Sequence, residues 1–378
     1  MNSKVVIIRN AAKSDFGGAE RMPVYLAREF KNHNLETIIL TRSKKLQSFA
    51  SNQNVTTQQS WWWSKQNWSG TQVILTPIYF IWQVVLYFYY LITFIKLRPS
   101  LVSPQSKDDF TPATLAAKTL GIKNVWVDHG DIKAIWKNHA IWYKNPVGKL
   151  VYFSAKFADV ILTASKNEFS LVASEIPGSI ILDKFKVVYN GIYDSYKNTS
   201  QPPSIDFIST GRLVTDKGIG ELIDAFASVV KKYPKATLAI VGDGPERIKF
   251  KKQAKNIPGV TFYGHQENPL EYLAKSKIFM LPTHHEAFGV AVVEACMEQR
   301  PIIASNIGGI PEIITHDKSG LLIPIKDADS LYNAMIKLYE HPDLQKKLAT
   351  NARKTYLEKF KLDGVVIDNY LKYFGTKS

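Results

Sequence analysis

Short apolar runs of strand length alternate with amphipathic segments through most of the chain. Residues 4–10 form the first apolar run, a turn with Gly17 and Gly18 leads into a helix that ends near His33, and residues 35–41 form a second run. Strand, glycine turn, helix and strand in this order open a doubly wound α/β domain. We therefore predict a parallel sheet with connecting helices for the N-terminal half.

The alternation continues through the N-terminal half and starts again beyond a polar stretch. Further strands of the first half are predicted at residues 100–103, 124–127, 158–164 and 185–190, with a helix at residues 112–120. Residues 193–204 are polar and include two consecutive prolines, which is the composition of a linker between domains. The strands of a second α/β domain are predicted at residues 205–209, 237–241, 260–264 and 320–324.

Helices of the second half each carry an apolar face. The helix after residue 218 has apolar residues at positions 219, 222, 223, 226, 229 and 230, and closing helices are predicted at residues 330–341 and 344–374. Asp327 and Asp329 have the D-x-D spacing of metal-binding transferases, but they stand at a helix start, where aspartate is expected as an N-cap. We therefore predict a cap there and no metal site.

A nearly unbroken apolar run occupies residues 73–95 and follows a cluster of tryptophans. The tryptophans are Trp61, Trp62, Trp63 and Trp68. The run approaches the roughly 20 residues of a membrane span. Three interpretations are open: a helix buried in the first domain, a span, or a helix with one face in the core and an aromatic face in a bilayer interface, flanked by Lys96 and Arg98. A span would cut the α/β unit in two, so the other two interpretations are favoured.

Two glutamates stand eight residues apart between residues 280 and 304. The pattern predicts a buried strand, a polar turn, a helix that opens near Phe288 and Gly289, and a second strand. Glu286 then lies in the turn, and Glu294 lies about one and a half turns into the helix. The unpaired amides of the first turn are those of Ala287, Phe288, Gly289 and Val290. Amides that bind anions beside carboxylates that bind hydroxyls suit a phosphorylated sugar.

Charged residues also follow predicted strands elsewhere. Arg212 at a strand end and Lys217 at the next helix start can converge on a diphosphate, the arginine through its planar fork and the lysine as a point charge. His129 directly follows a strand, where α/β enzymes place ligand groups. Its neighbours Asp128 and Asp131 each have two open interpretations, a group that positions an acceptor hydroxyl or a solvated loop residue.

Composition and charge narrow the class of protein. The 378 residues have the apolar and charged fractions of an ordinary globular protein, which argues against general disorder. Of the net charge of +15, residues 1–200 supply 24 Lys and Arg against 13 Asp and Glu (+11), and residues 201–378 supply 24 against 20 (+4). We find no zinc-ligand spacing and no basic helix typical of nucleic-acid readers. The basic excess therefore favours an anionic membrane face over nucleic acid as a partner.

The cysteine count and the start of the chain bear on the compartment. The single cysteine, Cys296, can form no internal disulfide, which indicates a reducing environment and a structural thiol. The first residues lack the long apolar core and the cleavage site of a signal peptide. We expect a cytoplasmic protein, at the inner face of the cell membrane if its basic half binds lipid.

These motifs occur in the order of a known family. The E-x7-E pair stands between L-P-T, which ends a strand, and R-P-I-I-A, which forms the next one. The other motifs are G-R-L-x-x-x-K-G from residue 211, G-D-G-P from residue 242 and G-G-A-E from residue 17. The pattern resembles the retaining GT-B glycosyltransferases of family 4, tightly over residues 191–324 and loosely before residue 158. It departs from the family at Ala287, where glycine is common, and at Gln299-Arg300, where small residues usually precede the proline.

The resemblance implies the GT-B fold, in which two Rossmann-like doubly wound domains face a central cleft. The N-terminal, acceptor-side domain would comprise residues 1–195, and the donor-binding domain would comprise residues 204–359. A last helix at about residues 360–378, with Phe360 and Tyr373, would cross back onto the first domain.

The resemblance also implies an activity. A sugar would pass, with retention at the anomeric carbon, from a nucleotide diphosphate sugar to a hydroxyl acceptor, without a metal or other cofactor. A UDP-sugar is favoured over a GDP-sugar, and the acceptor would be a glycan or lipid-linked glycan in bacterial polysaccharide or glycolipid assembly. The alternative is a non-catalytic GT-B partner subunit that binds nucleotide sugar or glycan without transfer.

Residue roles carry over motif by motif. Arg212 and Lys217 would hold the diphosphate. Glu286 would bind donor-sugar hydroxyls, Glu294 would accept the two ribose hydroxyls, and His129 would contact the donor sugar. Backbone close to the donor would come from Gly17, Gly18, Gly211, Gly242, Ala287, Phe288, Gly289 and Val290.

Overall fold

The chain forms two compact units, each built on a parallel sheet. The structure is a computed structural model that describes residues 3–10, 17–61, 76–130, 132–137, 145–197 and 203–375. Unit 1 comprises Met1–Tyr189 together with Val366–Ser378, and unit 2 comprises Asn190–Val365.

Unit 1 contains a sheet of seven strands among its described residues. They are β1 (Ser3–Ile8), β2 (Leu35–Thr41), β3 (Thr56–Gln59), β4 (Leu101–Pro104), β5 (Lys123–Asp128), β6 (Val160–Thr163) and β7 (Phe185–Val187). All pair in parallel, in the order β3-β2-β1-β4-β5-β6-β7. The chain runs outward from β1 to β3, returns to β4 beside β1 and continues to β7. The ends of β1 and β4 are therefore the topological switch point of this sheet.

Helices connect these strands. They are α1 (Gly18–Asn32), α2 (Lys44–Asn52), α3 (Thr76–Leu97), α4 (Lys107–Thr119), α5 (Ile132–Trp136), α6 (Pro146–Ala155) and α7 (Lys166–Glu175). The helix predicted at residues 112–120 is wrong at its start, because α4 begins at Lys107 and carries Pro112 inside. Asp108 and Asp109 lie in its first turn, where carboxylates complement the positive end of the helix dipole.

Two apolar clusters form the core of unit 1. One cluster joins β1, β2 and β4 to α3 and α4. The other surrounds Trp126 and Trp136, and Phe110 stacks on Trp126 with ring centroids 4.4 Å apart. Full burial of side chains of this size contributes roughly 2–3 kcal/mol each, so both clusters hold the sheet and its helices together.

Helix α3 has two different faces. Tyr79, Leu86, Tyr90 and Phe94 are buried against unit 1, whereas the opposite side of the helix is exposed. By length and composition alone α3 could cross a membrane, and 33% of its most apolar window is buried. The interpretation as a wholly buried core helix is therefore wrong, and α3 has the one-sided packing of the core-and-surface interpretation. Trp62, Trp63 and Trp68 lie outside the described residues.

Unit 2 contains a six-stranded parallel sheet within its described part. The strands are β8 (Ile205–Thr210), β9 (Leu238–Val241), β10 (Val260–Gly264), β11 (Ser276–Leu281), β12 (Ile302–Ser305) and β13 (Leu321–Ile323). Their order is β10-β9-β8-β11-β12-β13. The chain therefore reverses its outward course between β8 and β11, and the ends of these two strands form the second switch point.

The helices of the remaining chain follow the predicted pattern with one break. They are α8 (Ile219–Lys232), α9 (Arg247–Gln253), α10 (Leu270–Ala274), α11 (Val290–Met297), α12 (Ile310–Ile313), α13 (Ala328–Glu340), α14 (Pro342–Lys359) and α15 (Ile367–Phe374). The six apolar positions predicted for the helix after residue 218 are all buried in α8, which confirms its inward face. Asp327 caps α13 by accepting the backbone N–H of Ser330 at 2.8 Å, which confirms the predicted cap.

The single closing helix predicted at residues 344–374 is wrong. The chain leaves helical geometry at Asp363 and Gly364, where Gly364 has φ 135°, and α15 then belongs to unit 1. In unit 1 the rings of Phe374 and Phe30 lie 4.8 Å apart. Phe360 instead stays in unit 2, where its ring lies 5.8 Å from that of Phe288, so its expected place in the crossing helix is wrong.

The residues that depart from the family pattern close α11. Gln299 adopts a left-handed conformation with φ 53°, and its N–H donates to the carbonyl of Cys296. The N–H of Arg300 donates to the carbonyl of Ala295 at 2.9 Å, and its guanidinium donates to the carbonyl of Ser276. Gln299 therefore occupies a helix-end position that glycine fills with less strain.

Replacing Gln299 with glycine should raise the free energy of unfolding by roughly 0.5–1 kcal/mol, because glycine lacks the Cβ that disfavours the left-handed region. Asn34→Gly is the control, since Asn34 has φ 60° but asparagine tolerates this region, and its gain should be smaller. Urea unfolding followed by circular dichroism measures both. Equal gains, or a loss at Gln299, would contradict the strain argument.

Candidate active site

The loops that follow β8 and β11 meet at the switch point of unit 2. Gly218, in the first loop, has φ 67°, and a Cβ on it would lie 1.8 Å from the carbonyl oxygen of Pro282 in the second loop. The N–H of His284 donates to the carbonyl of Asp216 at 2.7 Å, and the hydroxyl of Thr283 donates to the same carbonyl at 2.9 Å. Only glycine can occupy position 218 at this distance from Pro282. Gly218 therefore fixes the position of the preceding residue, Lys217.

Lys217 and Glu286 form an ion pair across these two loops. The Lys217 Nζ lies 2.7 Å from Glu286 Oε2, and the two side chains are 25% and 19% exposed. Two residues that are 69 positions apart in the sequence, and that were predicted separately, are thus brought together. A cation and a carboxylate that remain partly accessible can each still bind a ligand group.

Helix α11 begins at Val290, directly after the predicted opening near Phe288 and Gly289. Gly289 precedes it in a left-handed conformation with φ 109°, and its carbonyl accepts the N–H groups of Val292 and Val293. Within the described part of the chain, the N–H groups of Gly289 and Val290 have no hydrogen-bond partner. The amides of Ala287 and Phe288 come before the helix, so their expected place in its first turn is wrong.

The other predicted residues of unit 2 surround this pair of loops. Glu294 is half-buried on α11, one turn after Val290. A Cβ on Gly308 would lie 1.6 Å from the carbonyl oxygen of Glu286, so the loop after β12 is in direct backbone contact with Glu286. The side chain of Phe288 is buried in the core, which leaves only its backbone for a ligand.

Gly211, Arg212 and Gly242 extend the site toward β9. Gly211 and Gly242 are in backbone contact, since a Cβ on Gly242 would lie 1.8 Å from the carbonyl oxygen of Gly211. Arg212 is exposed on the same loop. The hydroxyl of Thr215 donates to Glu246 at 2.6 Å and joins this loop to the one after β9. The arrangement holds two cations on one loop, which is suited to a diphosphate.

The switch point of unit 1 carries a second polar cluster. Arg9 follows β1, Gln105 follows β4, His129 follows β5, and Glu20 lies in the first turn of α1. Arg9 donates to Glu20 Oε1 at 2.7 Å and to the carbonyl of Gln105. Glu20 Oε2 accepts the N–H of Gly17 at 2.9 Å, next to Gly18 at the helix start.

His129 is held in one neutral form. Gln105 donates its Nε2 to Ser103 Oγ at 3.4 Å, which turns its Oε1 toward His129 Nε2 at 3.0 Å. Because an amide oxygen only accepts, His129 Nε2 carries the proton and Nδ1 is an acceptor. Burial, aided by the positive charge of Arg9, lowers the pKa of His129 well below its usual range. Nδ1 is buried without a partner among the described residues.

The aspartates around His129 have structural roles where they are described. Asp128 is buried, and its Oδ1 accepts the N–H groups of Gly130 and Ile132 at 3.1 and 3.2 Å. It thereby shapes the loop that carries His129 and starts α5, so the interpretation as a solvated loop residue is wrong. Asp131 lies outside the described residues, as do residues 14–16 of the first glycine turn.

Asp109 is a fully buried carboxyl at the start of α4. The hydroxyl of Tyr90 donates to its Oδ1 at 2.5 Å, and Asn10 Nδ2 lies 3.3 Å from the same oxygen. Burial raises the pKa of Asp109 to about 7, and the neighbouring Asp108 adds to this, although the hydrogen bonds act in the opposite direction. Asp109 therefore exchanges its proton near neutral pH.

The described residues include no cluster of metal ligands and no reactive thiol. No group of three or more His, Cys, Asp or Glu residues that could hold a metal is found among them. Cys296 is the penultimate residue of α11, and it is buried. Burial raises the pKa of its thiol, so the sulfur stays protonated and structural, as predicted.

Comparison with known proteins identifies the family. The sequence model described as Glycosyltransferase Family 4 matches residues 16–196, and the one described as Glycosyl transferases group 1 matches residues 194–355. The chain belongs to the family 4 glycosyltransferases. The recognition made from the E-x7-E and G-R-L-x-x-x-K-G motifs is thus confirmed.

Two curated relatives match parts of this family 4 glycosyltransferase. N-acetyl-alpha-D-glucosaminyl L-malate synthase of Bacillus anthracis is 33% identical over 163 residues, 42% of each chain. The capsular polysaccharide biosynthesis glycosyltransferase CapM of Staphylococcus aureus is 26% identical over 203 residues, 52% of this chain and 53% of CapM. The chain thus spans about half the length of the curated relatives it matches.

Solved structures of glycosyltransferases confirm the GT-B fold of two Rossmann-like units. A glycosyltransferase from Rickettsia africae superposes with a TM-score of 0.79 at 18% identity and covers the whole of both chains. Anabaena Alr3699/HepE in complex with UDP and glucose superposes with a TM-score of 0.78 at 17% identity and covers 99% of this chain and 100% of the Anabaena protein. At such identities the likeness extends to the fold alone.

Sequence reasoning missed several polar residues of this family 4 chain. They are Arg9, Asn10, Glu20, Gln105 and Asp109. Each lies at the end of a strand or in the first turn of a helix at the switch point of unit 1. A rule that picks polar residues immediately after apolar strands would have found Arg9, Asn10 and Gln105.

Replacing Gln105 with glutamate should make His129 easier to protonate, because a carboxylate beside Nε2 favours the imidazolium. Nitrogen-15 NMR of histidine should show the wild-type ring neutral and protonated on Nε2 from pH 6.5 to pH 5.5. In Gln105→Glu the same ring should become charged within this range. Exposed His33 provides a reference signal in the same spectra. Wild-type His129 titrating near 6.5 would contradict the assignment.

Asp109 should give unfolding a distinct pH dependence. Its folded pKa of about 7 lies above the unfolded value of about 3.9, so its contribution is fully present below pH 4 and is lost as the pH rises through 7. The stability of wild type relative to Asp109→Asn should therefore fall by a few kcal/mol between pH 4 and pH 7. Asp317→Asn is the control, because a hydrogen bond from Lys337 lowers the pKa of the exposed Asp317, so its contribution should not fall as the pH rises. Parallel curves at Asp109 would refute the raised pKa.

Proposed function

We propose that this family 4 glycosyltransferase moves a sugar, with retention, from a nucleotide diphosphate sugar to a hydroxyl of a glycan or lipid-linked acceptor in bacterial polysaccharide or glycolipid assembly. The observation that carries the proposal is the 2.7 Å pair of Lys217 and Glu286 beside the unpaired amides at the start of α11. A cation, a carboxylate and anion-binding amides in one place match a sugar joined to a diphosphate.

The proposed step breaks the bond between the anomeric carbon and the diphosphate oxygen. The acceptor oxygen forms a bond to the same face of that carbon, and its hydroxyl proton passes to the departing diphosphate. Arg212 and Lys217 stabilise the negative charge that accumulates on the leaving group, which is the type of electrostatic support that most lowers such barriers. In this proposal the two cations serve where other transferases use a metal, and no protein nucleophile takes part.

Three further residues orient the substrates in the proposal. Glu286 accepts hydrogen bonds from donor-sugar hydroxyls beside its ion pair with Lys217. Glu294 accepts the two ribose hydroxyls. His129 offers its neutral Nδ1 to a sugar hydroxyl, because Gln105 already holds the proton on Nε2.

We assign UDP as the favoured nucleotide and the cytoplasmic side of the membrane as the place of reaction. The Anabaena protein of the same fold is described in complex with UDP. Nucleotide sugars are charged, and the basic excess of the first 200 residues suits an enzyme that works beside anionic lipid.

Thermal unfolding in the presence of UDP-, GDP-, ADP- and CMP-sugars tests the donor site. A donor at about 100 times its dissociation constant should add about 2.7 kcal/mol to the free energy of unfolding. We expect this gain with a UDP-sugar and its loss in Glu294→Ala. The same gain in wild type and Glu294→Ala would remove the ribose role from Glu294, and no gain with any nucleotide would overturn the donor site.

The charged pair should matter for the rate. Lys217→Ala and Glu286→Gln should each lower kcat/KM by about 10²–10³, since each removes support for the transferring group. Lys251→Ala and Glu358→Gln make the same changes at exposed positions of unit 2 and should leave kcat/KM unchanged. An equal loss in the control variants would refute the assignment.

The alternative of a non-catalytic partner subunit makes a different prediction. It would bind the nucleotide sugar and still release no free sugar or nucleotide on long incubation without acceptor. A transferase should hydrolyse its donor slowly under these conditions, and Lys217→Ala should abolish that hydrolysis. Binding without any hydrolysis would favour the subunit interpretation.

A further inference from the structure

Helix α3 presents a continuous apolar stripe to solvent. Seven large apolar side chains on it are between 40% and 66% exposed. They are Ile78, Ile81, Val84, Val85, Phe88, Ile92 and Ile95, and we call them the outer stripe. Apart from the adjacent Val84 and Val85, they are spaced by three or four residues, which places them on one side of the helix over about 26 Å. Monomeric proteins rarely expose an apolar surface of this extent unless it contacts a partner or a lipid surface.

Amphipathic aromatic residues line the margins of the outer stripe. Trp82 and Tyr89 lie on one margin, and the exposed Trp61 packs against both, with ring centroids at 5.3 and 5.7 Å. Tyr87 lies on the other margin and shares a hydrogen bond with Thr119. Trp and Tyr rings with one apolar and one polar side are enriched at the level of lipid headgroups.

The charge around the stripe is basic. Lys96 and Arg98 are exposed at the end of α3, and within α3 there is no acidic residue. The sequence up to residue 200 carries an excess of eleven positive charges, 24 Lys and Arg against 13 Asp and Glu. An apolar stripe with cations at its end matches an anionic lipid surface, which supplies an apolar interior beneath negative headgroups.

The inner face of α3 ties the helix to unit 1. Tyr90 donates to buried Asp109 at 2.5 Å, and Tyr79 and Gln83 donate to Asp108 at 3.4 Å, to its side chain and its carbonyl respectively. If α3 left the unit to cross a bilayer, these polar groups would lose their partners and enter hydrocarbon. The carboxyls of Asp108 and Asp109 would lose the hydrogen bonds from Tyr79 and Tyr90. Although α3 is long enough to span, its inner face prevents it from doing so.

We propose that α3 lies in the plane of an anionic bilayer, with the outer stripe in the acyl boundary and the inner face still packed on unit 1. This inference rests on the proposed function, because docking on the bilayer would bring the enzyme to a lipid-linked acceptor. The stripe lies on the same helix whose inner face contacts Asp109 and, through it, Asn10 at the end of β1. The enzyme therefore docks by the unit that carries His129.

Vesicle binding by the full chain tests the docking surface. The probes are vesicles of phosphatidylcholine with one-third phosphatidylglycerol at low salt. Ile81→Glu with Phe88→Glu should weaken partitioning at least tenfold, and vesicles without the anionic lipid should also bind less. Ile180→Glu with Ile248→Glu is the matched control, since these side chains are 77% and 83% exposed outside α3. Equal binding of the two double variants would overturn the proposal.

Depth measurements separate an in-plane helix from a span and from self-association. Ile78→Cys, Val85→Cys and Ile92→Cys can be labelled singly with a fluorophore, because Cys296 is buried. In-plane docking predicts equal quenching of all three labels by lipids that carry a quencher at one shallow depth. Quenching that differs strongly between the central and the outer positions would indicate a span. Binding of two copies through the stripe, seen as a dimer that Ile81→Glu dissociates and that does not bind vesicles, would also overturn the proposal.

A donor-binding measurement distinguishes failure of the docking surface from failure of the proposed function. The variant with Ile81→Glu and Phe88→Glu should retain the full stabilisation by UDP-sugar, because its changes lie in unit 1 and outside the donor loops. Lost vesicle binding with intact donor binding supports the docking surface. Intact vesicle binding in a protein that binds no nucleotide sugar would retain the docking surface and refute the proposed activity.

Discussion

The contact between Gly218 and Pro282 is the constraint on which the loops at the switch point of unit 2 depend. Two loops that are distant in sequence come so close there that the backbone of Gly218 touches the carbonyl of Pro282, and no side chain fits between them. Because this contact fixes the two loops against each other, Lys217 and Glu286 lie within ion-pair distance. Parallel sheets create such a meeting at every switch point, but glycine decides how closely the loops approach.

The titratable groups at the two switch points differ in how deeply they are buried. In unit 2 the cation and carboxylate are paired, partly accessible and able to meet a charged ligand. In unit 1 burial dominates, and it keeps His129 neutral and lets Asp109 hold a proton near neutral pH. A diphosphate requires fixed positive charge, whereas a neutral sugar requires groups that accept and donate hydrogen bonds. In the proposed function, this contrast between the units corresponds to the chemistry of the two kinds of ligand.

The sequence was sufficient for the fold class and for residues that lie in local motifs. Alternating apolar runs predicted the strands of both sheets except β3, whose four residues are Thr and Gln, and helical spacing predicted the inward face of α8. The helix predicted from Pro112 misses the first turn of α4, although Asp108 and Asp109 are a local signal of a helix start there. The partnership of His129 with Gln105 could not be predicted, because it joins two strands that are neighbours only in the folded sheet. The two faces of α3 stayed open because almost every residue on either face is apolar.

The split of unit 1 between two parts of the chain has a consequence for its synthesis. The ring of Phe374 packs on Phe30, and Lys123 donates to the carbonyl of Gly375, so the last helix completes a domain that begins at the N-terminus. On the ribosome, unit 2 emerges between these two parts and is continuous in sequence. The later unit can therefore reach its native state first, while the earlier one waits with an incomplete core. During that interval, before α15 arrives, the apolar surface around Phe30 that α15 covers in the native state remains exposed.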